Sequence, residues 1–161
     1  SKRRKRAMGY GEQLNEKQKL RFTYGVSERQ LRKYYRIASK SRGATGEMLL
    51  QLLERRLDNV VYRLGFAPTR AAARQLVSHR HVKVDGKSVN IPSFLVKEGE
   101  VIMMEEKAYN FPVVMGSLKE EQKIPNWLEK KAAVGKVVKQ AKRDEIDTAV
   151  NEQMIVEFFS R

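Results

Sequence analysis

A chain of 161 residues with 33 Lys and Arg against 19 Asp and Glu carries a formal charge of +14, and a globule that positive repels itself until a polyanion neutralises it. Its 41% apolar content suits one domain or two small ones, and no apolar run approaches the ~18 residues of a spanning helix, so no membrane partner is expected. Cysteine is absent, which removes disulfides, thiol nucleophiles and Cys-based zinc sites and fits a reducing cytosol.

Ser1-Lys2-Arg3-Arg4-Lys5-Arg6 holds five positive charges and nothing that packs. It reads as a flexible basic arm, with residues 1–12 as its extent, lying along nucleic-acid phosphates. A start at Ser1 without Met points to processing or to a piece of a longer chain. From Asn15, a cap with Gln18 three residues on, the pattern turns helical until Gly25. Ser27 caps a second helix with Leu31, Tyr35 and Ala38 on one stripe and Arg29, Arg32, Lys33 and Arg36 on the other faces. Acidic i,i+4 partners are too few to balance these cations, so an external anion is the better explanation.

Ser41 to Gly46 is a small-residue linker. Thr45 then caps the strongest predicted helix, where Leu49, Leu53, Leu57, Val60 and Leu64 recur at spacings of three and four until Gly65 ends it. Pro68 and Thr69 open another helix, packed through Ala72, Ala73, Leu76 and Val77. Its Arg70 and Arg74 stand on one face beside a capped N-terminus, an arrangement suited to phosphate. Val82-Lys83-Val84, the turn pair Asp85-Gly86 and the return through Val89 and Ile91 form a hairpin. Its register pairs Val84 with Lys87, Lys83 with Ser88 and Val82 with Val89.

Glu98-Gly99-Glu100 is a further turn and Val101–Met104 a further strand, its methionines core filling. Asn110 to Glu121 reads as a short helix, and Trp127-Leu128 with Val137-Val138, separated by Gly135, as a second hairpin. Asp144, Glu145 and Asp147 precede a last helix over Ala149 to Phe159, with Val150, Met154, Ile155 and Phe158 as its stripe. The two histidines, His79 and His81, lack carboxylates at ligand spacing, so no metal site is expected. No residue set suggests a cofactor, a small-molecule substrate or a catalytic centre.

The expected fold class is α+β: a helical domain with an inserted small mixed α/β domain, an antiparallel sheet packed on helices. The expected limits are 13–66 with 148–161 for the helical domain and 67–147 for the insertion.

Three runs carry a resemblance: Arg56-Leu-Asp-Asn-Val-Val-Tyr-Arg-Leu-Gly-Phe66, Thr69-Arg-Ala-Ala-Ala-Arg-Gln-Leu-Val-Ser-His79 and Val82-Lys-Val-Asp-Gly-Lys-Ser-Val-Asn-Ile-Pro92. They resemble an RNA-binding module named after small-subunit ribosomal protein "S-four". Glu16-Lys-Gln-Lys-Leu-Arg21, Tyr24-Gly-Val26, Glu28-Arg-Gln30, Thr45-Gly-Glu-Met-Leu-Leu50 and Asn151-Glu-Gln-Met-Ile-Val-Glu157 extend the likeness to the bacterial ribosomal protein family, over almost the whole chain from Gly9.

The resemblance implies a primary binder of small-subunit ribosomal RNA that nucleates assembly of the subunit body. It also implies contact with neighbouring small-subunit proteins, a contribution to translational accuracy, and a position beside the channel through which messenger RNA enters. By position, Arg70, Arg74, His79 and Lys83 match the module's RNA face. Lys17, Lys19, Arg21, Arg29, Arg32 and Arg36 match the basic helical domain, and the arm of Lys2, Arg3, Arg4, Lys5 and Arg6 the part near the messenger channel. Many family members carry an additional N-terminal stretch, sometimes with zinc-binding cysteines, and nothing is carried over from it. Arg80 stands where the module often has Gly. If left-handed it costs about 1 kcal/mol more than Gly, while adding a cation that RNA could use.

The same module is appended to RNA-modifying enzymes, and Arg56-Leu57-Asp58 mimics a pseudouridine-synthase triplet. Leu57 instead continues the leucine stripe, Asp58 is expected to cap or to pair with a neighbouring Arg, and no stretch is long enough for a catalytic half. A ribosome-associated factor that carries the module without being a subunit component is the other alternative.

Overall fold

A computed structural model describes the backbone of residues 2–161 and the side chains of residues 9–161. The side chains of Lys2, Arg3, Arg4, Lys5 and Arg6 therefore lie outside the described residues. The chain divides into two compact units, one made of residues 1–53 and 147–161 and the other of residues 54–146.

The first unit is helical. Helix α1 (Lys2–Tyr24) starts well before Asn15, so the separate arm expected over residues 1–12 is not set off by a break in secondary structure. Gly25, at φ +67°, supplies the left-handed residue that ends it. Helix α2 (Glu28–Ser39) is capped by Ser27, whose hydroxyl accepts from Gln30 N while the Gln30 side chain takes the Ser27 N–H. Its buried stripe is Leu31, Tyr34 and Ala38. Tyr35, the expected member, is half-buried and stacks on Phe159 at 5.2 Å.

Helix α3 (Thr45–Glu54) begins at Thr45 itself, its first backbone bond running from Met48 N to Ala44 O, so Thr45 is not the cap. The final helix α7 (Glu152–Phe159) is capped by Asn151, which accepts from Met154 N. Only Ile155 of its predicted stripe is fully buried. Leu20, Tyr24, Val26, Leu49, Leu50, Leu52 and Leu53 are also buried in this unit.

The second unit is mixed α/β. The leucine stripe predicted as one helix breaks, and helix α4 (Leu57–Arg63) is a separate element. The cause is long-range. Leu57 N donates to Phe94 O at 2.8 Å and Asp58 N to Pro92 O at 3.2 Å, while Val96 N donates to Arg55 O at 2.8 Å. Those donors are thereby withdrawn from a continuous helix, and Arg56 pairs with Leu95 in extended geometry.

Helix α5 (Arg70–Ser78) follows the Thr69 cap. Strands β1 (Val82–Val84) and β2 (Lys87–Ser88) form the hairpin in the predicted register, with Asp85 at φ 49° and Gly86 at φ 82° as a type I′ turn requires. Past the strand's last residue, Val89 N still donates to Val82 O at 3.2 Å, and Ile91 beyond it is exposed. Strand β3 (Val101–Met104) lies at the centre of a five-stranded antiparallel sheet ordered β2-β1-β3-β5-β4. Helix α6 (Pro112–Lys119) carries Pro at its first turn, where the missing N–H costs nothing.

Strands β4 (Leu128–Lys131) and β5 (Val134–Val137) form the second hairpin. Its turn is Ala132-Ala133, with Ala132 at φ 55°, and Gly135 sits within β5 instead. The acidic residues Asp144 and Glu145 occupy a 3-10 turn (Arg143–Glu145), not the start of α7. The fold is α+β, as expected from the alternation of periods along the chain.

Candidate nucleic-acid surfaces

In the helical unit, the basic residues of α1 and α2 fall into two groups. Lys17 is 5% exposed; its ammonium lies 2.7 Å from Glu28 Oε2 and 4.6 Å from the Phe158 ring centre. It is an internal pair, not the surface cation the sequence suggested. Arg21 is half-buried, with Nη1 3.2 Å from Gln18 Oε1 and 3.9 Å from Glu28. Lys19 is exposed and pairs with Glu16 at 3.1 Å, and Arg32 is exposed 3.4 Å from Glu28. Arg29 and Arg36 are exposed and make no ion pair among the described residues.

The spacing Arg29, Lys33, Arg36, Lys40 is a helical one, and all four are exposed. Lys33, one of the cations expected on this helix, and Lys40 thus extend the stripe beyond the positions that match the family. Helical spacing alone was the available signal. One carboxylate, Glu28, is shared among Lys17, Arg21 and Arg32, so internal neutralisation of this surface is far from complete.

In the mixed unit, the Thr69 hydroxyl accepts from Ala72 N at 3.0 Å and fixes the start of α5. Arg70 is half-buried: its Nε donates to Asn59 Oδ1 at 2.9 Å, and its guanidinium lies 4.5 Å from the Tyr62 ring. Asn59 is buried and donates in turn to Glu54, whose other carboxylate oxygen takes Arg63 Nη2 at 2.7 Å. The side chain of Arg70 is therefore aimed by a buried network, while Arg74 projects one turn on and is exposed.

Past Ser78 the chain turns sharply. His81 N donates to Leu76 O and Arg80 N to Val77 O, both at 3.0 Å, a Schellman closure with Arg80 left-handed at φ 67°. His79 and Arg80 are exposed at this turn. Lys83 is half-buried on β1, on the face opposite Val82 and Val84. Arg70, Arg74, His79, Arg80 and Lys83 thus stand along one helix-turn-strand segment.

Residues 1–54 match the model of the ribosomal protein S4/S9 N-terminal domain, and residues 55–102 match that of the S4 domain. A small ribosomal subunit protein uS4 of Thermoanaerobacter sp. (strain X514) is 52% identical over 98% of this chain and 78% of its own length. The chain belongs to the uS4 family. Relatives of the same name from Parabacteroides distasonis and Aquifex aeolicus are each 52% identical over 99% of the chain, and the chain covers 81% and 79% of them. The junction between the two uS4 domain matches falls where α3 gives way to α4.

Within this uS4 framework, the Arg56-Leu57-Asp58 triplet has a structural occupation. Arg56 is fully buried and forks onto Asp58, Nε to Oδ1 at 3.1 Å and Nη2 to Oδ2 at 3.0 Å. Asp58 Oδ1 also accepts from Asn59 N at 2.7 Å. A carboxylate so enclosed and so engaged is poorly placed to attack a substrate. Among the described residues no group of three or more His, Asp or Glu is arranged to hold a metal ion, and no helix is long and apolar enough to cross a membrane.

Proposed function

We propose that this uS4-family chain is a structural constituent of the small ribosomal subunit, a primary binder of its ribosomal RNA that nucleates assembly of the subunit body. The observation that carries the reading is half identity, over nearly the whole chain, to curated small ribosomal subunit proteins. Its role is binding rather than catalysis, and its place is the ribosome in the cytoplasm. Neighbouring small-subunit proteins are its expected partners. A contribution to translational accuracy and proximity to messenger RNA, with the Lys2–Arg6 segment toward the messenger channel, belong to the same reading.

The physical mechanism is phosphate and 2′-hydroxyl recognition. A-form RNA hides its base edges in a deep, narrow groove, so cations placed to follow backbone contour carry the affinity. Lys19, Arg21, Arg29, Arg32 and Arg36 serve in the helical unit, and Arg70, Arg74, His79, Arg80 and Lys83 in the mixed unit. Lys17 holds α1 to α2 from behind.

A salt titration of binding to small-subunit ribosomal RNA tests this. Raising salt from about 50 to 200 mM should weaken binding by roughly a thousandfold, as expected for several neutralised phosphates. Arg74→Ala and Arg36→Ala, both at exposed positions, should each lower affinity and flatten the slope of log K against log salt by about 0.7 to 0.9, with unchanged unfolding midpoints. Wild-type affinity and slope in both variants would overturn the assignment.

A further inference from the structure

One cavity in the mixed unit is built unlike the cationic surfaces around it. It has a volume of about 260 Å³ and lies between α5 and the start of α6, lined by Gln75, Leu76, His79, His81, Phe111 and Val113 among others. Positions 72, 75, 76 and 79 form one helical stripe. The left-handed Arg80 then reverses the chain so that His81 returns to the same place. The rings meet at steep angles: His81 to Phe111 at 4.8 Å and 83°, His79 to His81 at 6.4 Å and 69°. Three apolar side chains, Ala72, Leu76 and Val113, and three flat rings thus line the space.

Its polar groups are as informative as its rings. His81 Nδ1 is closed off from solvent, with Glu105 Oε2 3.8 Å from it. The Gln75 amide stands exposed at the rim, offering both donor and acceptor. A carboxylate beside the cavity disfavours a phosphate inside it. An aliphatic protein side chain would cover the Gln75 amide without offering it a hydrogen bond. A neutral, flat, hydrogen-bonding group meets both conditions, and the cations Arg74 and Arg80 adjoin the lining residues Gln75, His79 and His81 in the chain.

We infer that this cavity receives one unstacked nucleobase of the bound RNA, its flanking phosphates taken by Arg74 and Arg80. The base inserts against the rings of Phe111 and His81 while its edge meets the Gln75 amide. Unpaired bases splayed onto aromatic side chains are a general means of reading RNA at loops and bulges. The inference rests on the proposed binding of ribosomal RNA, and makes that binding depend on one nucleotide's exposure as well as on contour.

The test uses the full chain and small-subunit ribosomal RNA, with two variants of opposite kind. Phe111→Leu keeps apolar volume but removes the ring, and Ala72→Leu fills the cavity. Each should weaken binding about tenfold, since base–aromatic stacking is largely insensitive to sequence and is not a phosphate contact, and the salt slope should stay at the wild-type value. Chemical probing at base positions should show an unpaired nucleotide protected by the wild-type protein and reactive again with either variant. Should Phe111→Leu fail to fold, Ala72→Leu decides alone.

Wild-type affinity and protection in the variants overturn the inference. If Arg74→Ala still flattens the slope in that case, RNA binding by this unit stands without the base pocket; if it does not, both fall. Variants that bind naked RNA normally but are lost from assembled subunits would assign the cavity to a protein partner, and would equally overturn it.

Discussion

Arg80 occupies a backbone position that glycine would hold at lower cost, for at φ 67° its Cβ crowds the following carbonyl. Arg80→Gly should therefore raise stability by about 1 kcal/mol, read as a higher urea midpoint at unchanged m-value. The same change should weaken RNA binding and flatten its salt slope, because a cation leaves the turn between His79 and His81. Improved stability with undiminished affinity would mean that the residue serves only the turn. The strained conformation could be anticipated, since resemblance places glycine at this turn. The fate of Lys17 could not. Nothing in its helical neighbourhood announces a pairing with Glu28, eleven positions on and in another helix, and a lysine on a basic helix reads as solvated until tertiary structure closes over it.

Signals of local chemistry match the structure at the Ser27 and Thr69 caps and the Asp85-Gly86 turn, while Asn15 and Thr45, also expected as caps, lie inside their helices. Elements set by distant partners do not follow such signals. The leucine pattern runs in helical phase from Leu49 to Leu64 with no Gly or Pro between, so periodicity has no means of placing the break at Arg55-Arg56; backbone bonds to residues 92–96 place it there. Gly135 shows the same limit. It reads locally as a turn residue, yet backbone pairing places it in β5, where a side chain would not fit: an added Cβ would stand 2.3 Å from Leu64 Cδ1 and 3.0 Å from Cγ. Leu64 is itself fully buried and has little room to withdraw. Gly135→Ala should consequently destabilise the protein by about 1 to 3 kcal/mol through overpacking, measured by chemical denaturation. A neutral result would show that Leu64 finds a second rotamer at little cost.

At the scale of the whole chain, the order of elements makes the two units unequal. Residues 54–146 are continuous and enclose their own core of Leu57, Val60, Leu64, Phe66, Ile102, Trp127 and Val137. The helical unit needs both ends of the sequence. Tyr24 Oη and Thr148 Oγ1 are 2.8 Å apart, Asn151 N donates to Glu16 at 3.3 Å, and Tyr10 and Tyr35 meet Phe158 and Phe159. Removing residues 148–161 strips α1 of its partner helix and leaves its apolar stripe in water. Hydrogen exchange on the truncated protein should show protection lost through residues 9–53 and retained through residues 57–137, because local stability follows the packing of each unit. Its RNA binding should survive at reduced affinity and with a shallower salt slope, since Arg29, Arg32 and Arg36 no longer stand on a fixed helix. Equal loss of protection in both stretches would mean that the mixed unit draws its stability from the helical one, and that cationic contour is specified by the chain only as a whole.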